Sequence, residues 1–106
     1  MPDEVLDELI ELITVDAYGD EGYWAFLQQF VDDWTFPVRA TLAGMPVQVT
    51  GVDFDGNERR GLVAILERAD PNHDPAVVSL IDIEGPEADS ATRLLLAAYR
   101  RWLGIT

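Results

Sequence analysis

The sequence predicts an α+β protein: a small SH3-like antiparallel β-barrel of about four strands, preceded by two helices and followed by one. Three features carry that reading. Apolar residues recur at helical spacing near both ends of the chain, over residues 3–34 and again from about residue 90. Between them the pattern changes to short alternating runs broken by turn residues, as in strands. Within one of those runs the apolar phase shifts by a residue at Gly51, which reads as a β-bulge in a strongly turned sheet. A chain of 106 residues can build one modest core but not two, so residues 1–106 read as a single domain.

The first helix spans residues 3–13, with Val5, Leu6, Leu9, Ile10, Leu12 and Ile13 apolar and Asp3, Glu4, Asp7, Glu8 and Glu11 opposite. Acids in its first turn suit the positive end of the helix dipole, and the acidic stripe reads as a solvated face. Residues 14–22 hold two glycines and three acids and read as a loop. A second helix is expected from about Asp20 to Trp34. Its apolar face is Tyr23, Trp24, Phe26, Leu27, Phe30, Val31 and Trp34, with Gln28, Gln29, Asp32 and Asp33 outward.

Strands are expected at Phe36–Leu42, Val47–Phe54, Gly61–Glu67 and Ala76–Ile83. Residues 43–46 form the first turn, Asp55-Gly56 signals a tight hairpin, and residues 69–75 form a loop. Gly61–Glu67 is apolar on both faces, as a covered central strand would be. After Gly85 and Pro86, a last helix starts near Asp89 or Ser90, which are suitable caps. It buries Leu94, Leu95, Ala98 and Trp102, carries Arg100 and Arg101 in its last turn, and closes at Gly104.

Charge narrows the function classes. The chain has 20 Asp and Glu against seven Arg and no Lys, for a formal net charge of −13. Binding to nucleic acid or to an anionic membrane surface needs clustered cations, so both are excluded as partners. There is no cysteine, hence no disulfide and no thiolate metal site. No secretory signal or membrane span is visible, and a cytoplasmic location is the expectation. Catalysis is not expected. His73 is the only histidine, Ser79 and Ser90 are the only serines, and the absence of lysine excludes a phosphate-binding P-loop.

A cation is the natural small partner of such a chain. Calcium takes six to eight oxygens, mainly carboxylates and carbonyls, in irregular flexible loops. Two loops concentrate such oxygens: Asp16, Asp20 and Glu21 around Gly19 and Gly22, and the run Asp53–Glu58 around Gly56. The second run is not an EF-hand, because Gly56 comes two places early, Leu62 stands where the closing Glu belongs, and the flanks are strands. A plain Asp-Gly turn is the competing reading there. Asp32 and Asp33 fall at the carbonyl end of the second helix, where a carboxylate is disfavoured by about 0.3–1 kcal/mol unless a cation is near. The nearest basic residue in sequence is Arg39, so either an arginine from elsewhere in the fold or a divalent ion would relieve them.

Taken together, Ile13–Glu21, the aromatic helix from Trp24 to Asp33, Phe36-Pro37, Pro46–Gly51, Val78–Glu84 and the ending Tyr99–Trp102 resemble the CcbP-type bacterial calcium-binding proteins. The resemblance covers nearly the whole chain. It implies a small cytoplasmic bacterial protein that binds Ca2+ through surface carboxylates, as a buffer or a sensor. The acids matching the family pattern are Asp16, Asp20 and Glu21 in the first loop, Asp32 and Asp33 at the helix end, and Asp53 and Asp55 in the acidic turn. This chain departs from the pattern in having Gly19 inside the first loop and a shorter stretch between the first two strands. The expected site lies near Asp16–Glu21, shared with Asp32 or Asp33, with a second, weaker one at Asp53–Glu58. The alternative from another class is an acidic interaction module, without specific metal sites, that docks a basic protein partner.

Overall fold

The computed structural model describes residues 3–15, 17, 21–57, 59–67, 72, 74–87 and 90–104. Helices α1 (Asp3–Thr14) and α2 (Glu21–Asp33) precede strands β1 (Val38–Leu42), β2 (Met45–Asp53), β3 (Val63–Leu66), β4 (Val77–Ser79) and β5 (Ile83–Glu87), and helix α3 (Ser90–Trp102) closes the order. All strand pairs are antiparallel, and the sheet order is β4-β3-β2-β1-β5. The sheet curls into a half-barrel, so the fold is α+β with three helices.

Among the described residues the sheet has five strands where about four were expected. The run from Ala76 to Ile83 is not one strand: a single 3-10 turn at Leu80–Asp82 divides it, and the chain past it becomes β5. Leu80 and Ile83 are both fully buried, which explains why the run resembles a continuous core strand. β5 then pairs with β1 across Gly85, a position that the sequence marks as a break.

Local chemistry accounts for the other boundaries. β1 and β2 are joined by Ala43 and Gly44, both at positive φ (50° and 81°), which is the two-residue turn whose twist matches a hairpin. The turn is therefore shorter than residues 43–46, and β2 takes in Met45 and Pro46. The bulge at Gly51 is present, with the β2–β3 register shifting between Val49 and Gly51. It keeps Val49 and Val52 both buried. β3 lies between β2 and β4, with Val63, Ala64 and Leu66 all buried, as a covered strand requires. Asp55-Gly56 does not close a tight hairpin: residues 54–62 form a longer connection between β2 and β3.

One hydrophobic core joins the helices to the sheet. It contains Leu6 of α1, Phe26 and Phe30 of α2, Trp34, Val38, Val49, Leu62, Leu80, Ile83 and Leu95, Leu96, Ala98 and Tyr99 of α3. Two members of the expected α2 face do not belong to it. Trp24 is 50% exposed and Val31 52% exposed, because the sheet and α3 cover a narrower stripe than the aromatic run suggests. On α1 the same holds for Val5 and Leu12. In α3 the buried side also includes Leu96 and Tyr99, beyond the four residues expected from the sequence. The Tyr99 hydroxyl accepts the Leu62 N–H at 2.8 Å, tying α3 to the end of the 54–62 connection. Gly22 sits inside the first turn of α2 and is buried, since a Cβ there would overlap the Trp102 indole.

The arginines of α3 serve the tertiary fold as well as the helix dipole. Arg100 donates to the carbonyls of Ile81 and Ile83, at 2.7 and 2.6 Å, holding the 3-10 turn against α3. Arg101 grips Asp7 through Nε at 2.7 Å and lies 3.5 Å from Asp3, so part of the acidic stripe on α1 is a structural contact and not only a solvated face. This pairing holds the Asp7 carboxyl below its ordinary value of 3.8.

Candidate metal centre

The acidic loop 53–57 is built by its own carboxylates. Asp53 closes β2, and its Oδ1 accepts the Phe54 N–H at 2.8 Å. Asp55 Oδ1 accepts the Asn57 N–H at 2.9 Å, and Asn57 Oδ1 accepts the Arg59 N–H at 3.1 Å. These side-chain caps, together with the Asn57 carbonyl receiving the N–H groups of Arg60 and Gly61, shape a loop of successive Asx turns. Gly56, at φ 89°, supplies the left-handed residue. Asp53, Asp55, Gly56 and Asn57 are all exposed. Between the two acids, Phe54 points the other way and is only 3% exposed.

Phe54 brings the loop to the start of α2. Its ring stacks on Tyr23 at a centroid distance of 4.9 Å and an interplanar angle of 13°, and meets Trp24 edge-on at 5.1 Å. Tyr23 in turn packs edge-on against Trp102 at 4.9 Å. Glu21, the first residue of α2 and exposed, thus belongs to the helix end that leans on the Asp53–Asp55 loop. Asp16 and Asp20, the other acids expected at the first loop, lie outside the described residues, as do Tyr18 and Glu58.

Asp32 and Asp33 stand at the opposite end of α2. Twelve residue steps separate Glu21 from Asp33, which at 1.5 Å per residue is about 18 Å. That is too far for Glu21 and the helix-end pair to share one ion. The two carboxylates instead take side-chain amides one turn back: Gln28 Nε2 donates to Asp32 at 3.0 Å and Gln29 Nε2 donates to Asp33. The dipole conflict seen in the sequence is therefore eased in part by neutral donors at i−4, a pairing legible in the Gln-Gln-x-x-Asp-Asp spacing.

The donor chemistry of these loops suits a hard cation, since every candidate offers carboxylate or carbonyl oxygen. Among the described residues, however, no three of His, Cys, Asp and Glu gather into a group that could hold a metal ion. A site drawn from Glu21, Asp53 and Asp55 would need further oxygens from outside that set, from backbone carbonyls or from water. No helix among the described residues is long and apolar enough to cross a membrane.

The geometry defines a class: a small α+β protein that presents exposed carboxylates on loops held by an aromatic cluster. Among solved structures, the crystal structure of Anabaena CcbP matches 100% of this chain and 96% of that one, at a TM-score of 0.77 and 25% identity. A calcium-binding protein in its calcium-binding form matches 98% of this chain and 94% of that one, at a TM-score of 0.76 and 23% identity. The resemblance to the CcbP-type family drawn from short sequence runs thus extends to the whole fold. No protein-family model matches the sequence, and no curated protein matches it.

Proposed function

We propose that this chain is a non-catalytic calcium-binding protein, a buffer or sensor that holds Ca2+ through exposed carboxylates. The observation that carries the proposal is the match to Anabaena CcbP over 100% of this chain and 96% of that one. The acidic composition supports it, as does the convergence of the α2 start with the Asp53–Asp55 loop through Phe54. Asp16, Asp20, Glu21, Asp53 and Asp55 are the proposed ligands of this region, and Asp32 with Asp33 a separate, weaker position. Surface carboxylates without a dedicated rigid cage correspond to an affinity of roughly 10⁻⁶–10⁻³ M. Residues 1–106 act as one cytoplasmic domain in this reading. Its sheet is read as an SH3-like barrel from the strand order β4-β3-β2-β1-β5 with a 3-10 turn between the two edge strands.

One observation favours a second reading, an acidic module for a basic protein partner. On α1, Val5 and Leu12 are exposed (43% and 75%), Val15 just beyond it is 73% exposed, and Glu4, Glu8 and Glu11 are exposed on the same helix.

The test is calcium titration of the purified protein by calorimetry and thermal melting, with magnesium and matched ionic strength as controls. A ligand held only by the folded form raises the melting temperature by mass action, here by about 10 °C at about 100 times Kd. Asp16→Asn with Glu21→Gln, and separately Asp53→Asn with Asp55→Asn, should each weaken binding. A calcium response no larger than the magnesium control up to millimolar concentrations overturns the proposal in favour of the interaction module.

A further inference from the structure

We infer that Phe54 is a positioning residue that couples the Asp53–Asp55 loop to the first turn of α2, so that a change at the loop is felt at the start of that helix. The inference rests on the calcium reading for its biological use, but its geometry stands independently. Phe54 lies in the chain between the two carboxylates, and its own N–H is the donor held by Asp53 Oδ1. Its ring is nearly fully buried and makes a parallel stack on Tyr23 and an edge contact with Trp24. A change in the hydrogen bonding of Asp53 therefore acts directly on the peptide N–H of the residue that carries the ring. The ring cannot move far without displacing Tyr23, which also packs edge-on against Trp102. Packed aromatic clusters of this kind rearrange between discrete arrangements and do not deform smoothly. On the far side of the cluster is the first turn of α2, where Glu21 lies two residues before Tyr23.

One consequence follows. Trp24, half-exposed and in contact with Phe54, should report events at Asp53 and Asp55 although its own side chain binds no ion. Phe54→Leu separates this role from simple bulk. It keeps an apolar side chain in the pocket but removes the ring that stacks.

The experiment follows backbone and indole N–H resonances by two-dimensional NMR in the wild type and in Phe54→Leu, each confirmed as folded by its melt. Should Phe54→Leu not fold, Phe54→Met replaces it. In the wild type, resonances of Tyr23 and Trp24 are expected to shift with calcium at the same midpoint as those of residues 53–57. In Phe54→Leu, residues 53–57 should still respond, while the shift at the Trp24 indole falls at least about threefold. A second arm needs no metal: Asp53→Asn should move the Trp24 indole resonance when introduced into the wild type and not when combined with Phe54→Leu. Retention of the full Trp24 response in Phe54→Leu, in either arm, overturns the coupling. A wild type silent to calcium removes the calcium reading alone, and the metal-free arm then decides the coupling by itself.

Discussion

The contact between Gly61 and Tyr99 gives the sharpest quantitative test of how the acidic connection is held. Gly61 has φ 69°, and a Cβ there would sit 2.6 Å from the Tyr99 hydroxyl. That hydroxyl is also the acceptor for the Leu62 N–H, and Leu62 and Tyr99 are both fully buried. Tyr99→Phe leaves the Leu62 N–H without its acceptor inside the core, at a cost of about 1–3 kcal/mol. Gly61→Ala incurs the left-handed penalty of about 1–2 kcal/mol. It also forces an overlap that the ring cannot relieve, because Phe26 and Phe30 hold it at centroid distances of 5.5 and 5.9 Å. Overpacking of that kind adds about 1–3 kcal/mol. In the double variant the hydroxyl is gone. The next neighbours of the new Cβ are Tyr23 Cε1 at 3.5 Å and Tyr99 Cζ at 3.9 Å, both ordinary contacts. The double variant should therefore be more stable than the sum of the single losses predicts, by about 1–2 kcal/mol. Urea denaturation followed by tryptophan emission and far-ultraviolet circular dichroism measures all four proteins. Additivity within about 0.5 kcal/mol would falsify the account of Gly61 as a cradle for the hydroxyl.

Further outcomes follow from other contacts. Burial pushes the Tyr99 phenol up to about 12 from 10.0. Between those pH values the folded chain keeps a proton that the unfolded chain has lost. The Tyr99 contribution to stability should be constant below pH 10 and fall by up to about 2 kcal/mol as pH rises to 12, with one of the three tyrosines ionising late in an absorbance titration. Early ionisation of all three in the folded protein would contradict this. Gly22→Ala should lower stability by about 1–3 kcal/mol despite the better helix propensity of alanine, because its Cβ meets the Trp102 indole; an increase in melting temperature would show that the indole can move aside. The Asp7–Arg101 pair keeps the Asp7 carboxyl low, so its stabilising effect is present above about pH 4 and disappears as pH falls further. Asp7→Asn should accordingly lower the melting temperature more at low salt than at high salt, and an equal loss at both would point to packing instead.

The legibility of the fold depended on whether a pattern was local. The helix α1, the bulge at Gly51 and the covered strand β3 each follow from spacing within a few residues, and each is present. The strand count failed where two apolar segments abut: Leu80 and Ile83 are both buried, and periodicity does not show the 3-10 turn between them. Trp24 and Val31 failed for a related reason. Spacing tells which residues share a face, but the partner surface sets how wide a stripe is covered. Gly22 falls where the expected loop and the expected second helix overlap; it is a helix residue kept small by Trp102, far away in sequence.

The sequence by itself determined the chemistry on offer. Its surplus of acids, lack of lysine and cysteine, and single histidine leave hard-oxygen donors as the conspicuous functional groups, and its order of short runs specifies the α+β class. Tertiary structure decided which acids keep company. It joins Asp3 and Asp7 to Arg101 and brings the start of α2 to the Asp53–Asp55 loop through one phenyl ring. Net charge and spacing are properties of the chain, but the distance between two carboxylates from different elements is fixed only when the apolar residues between them find their packing.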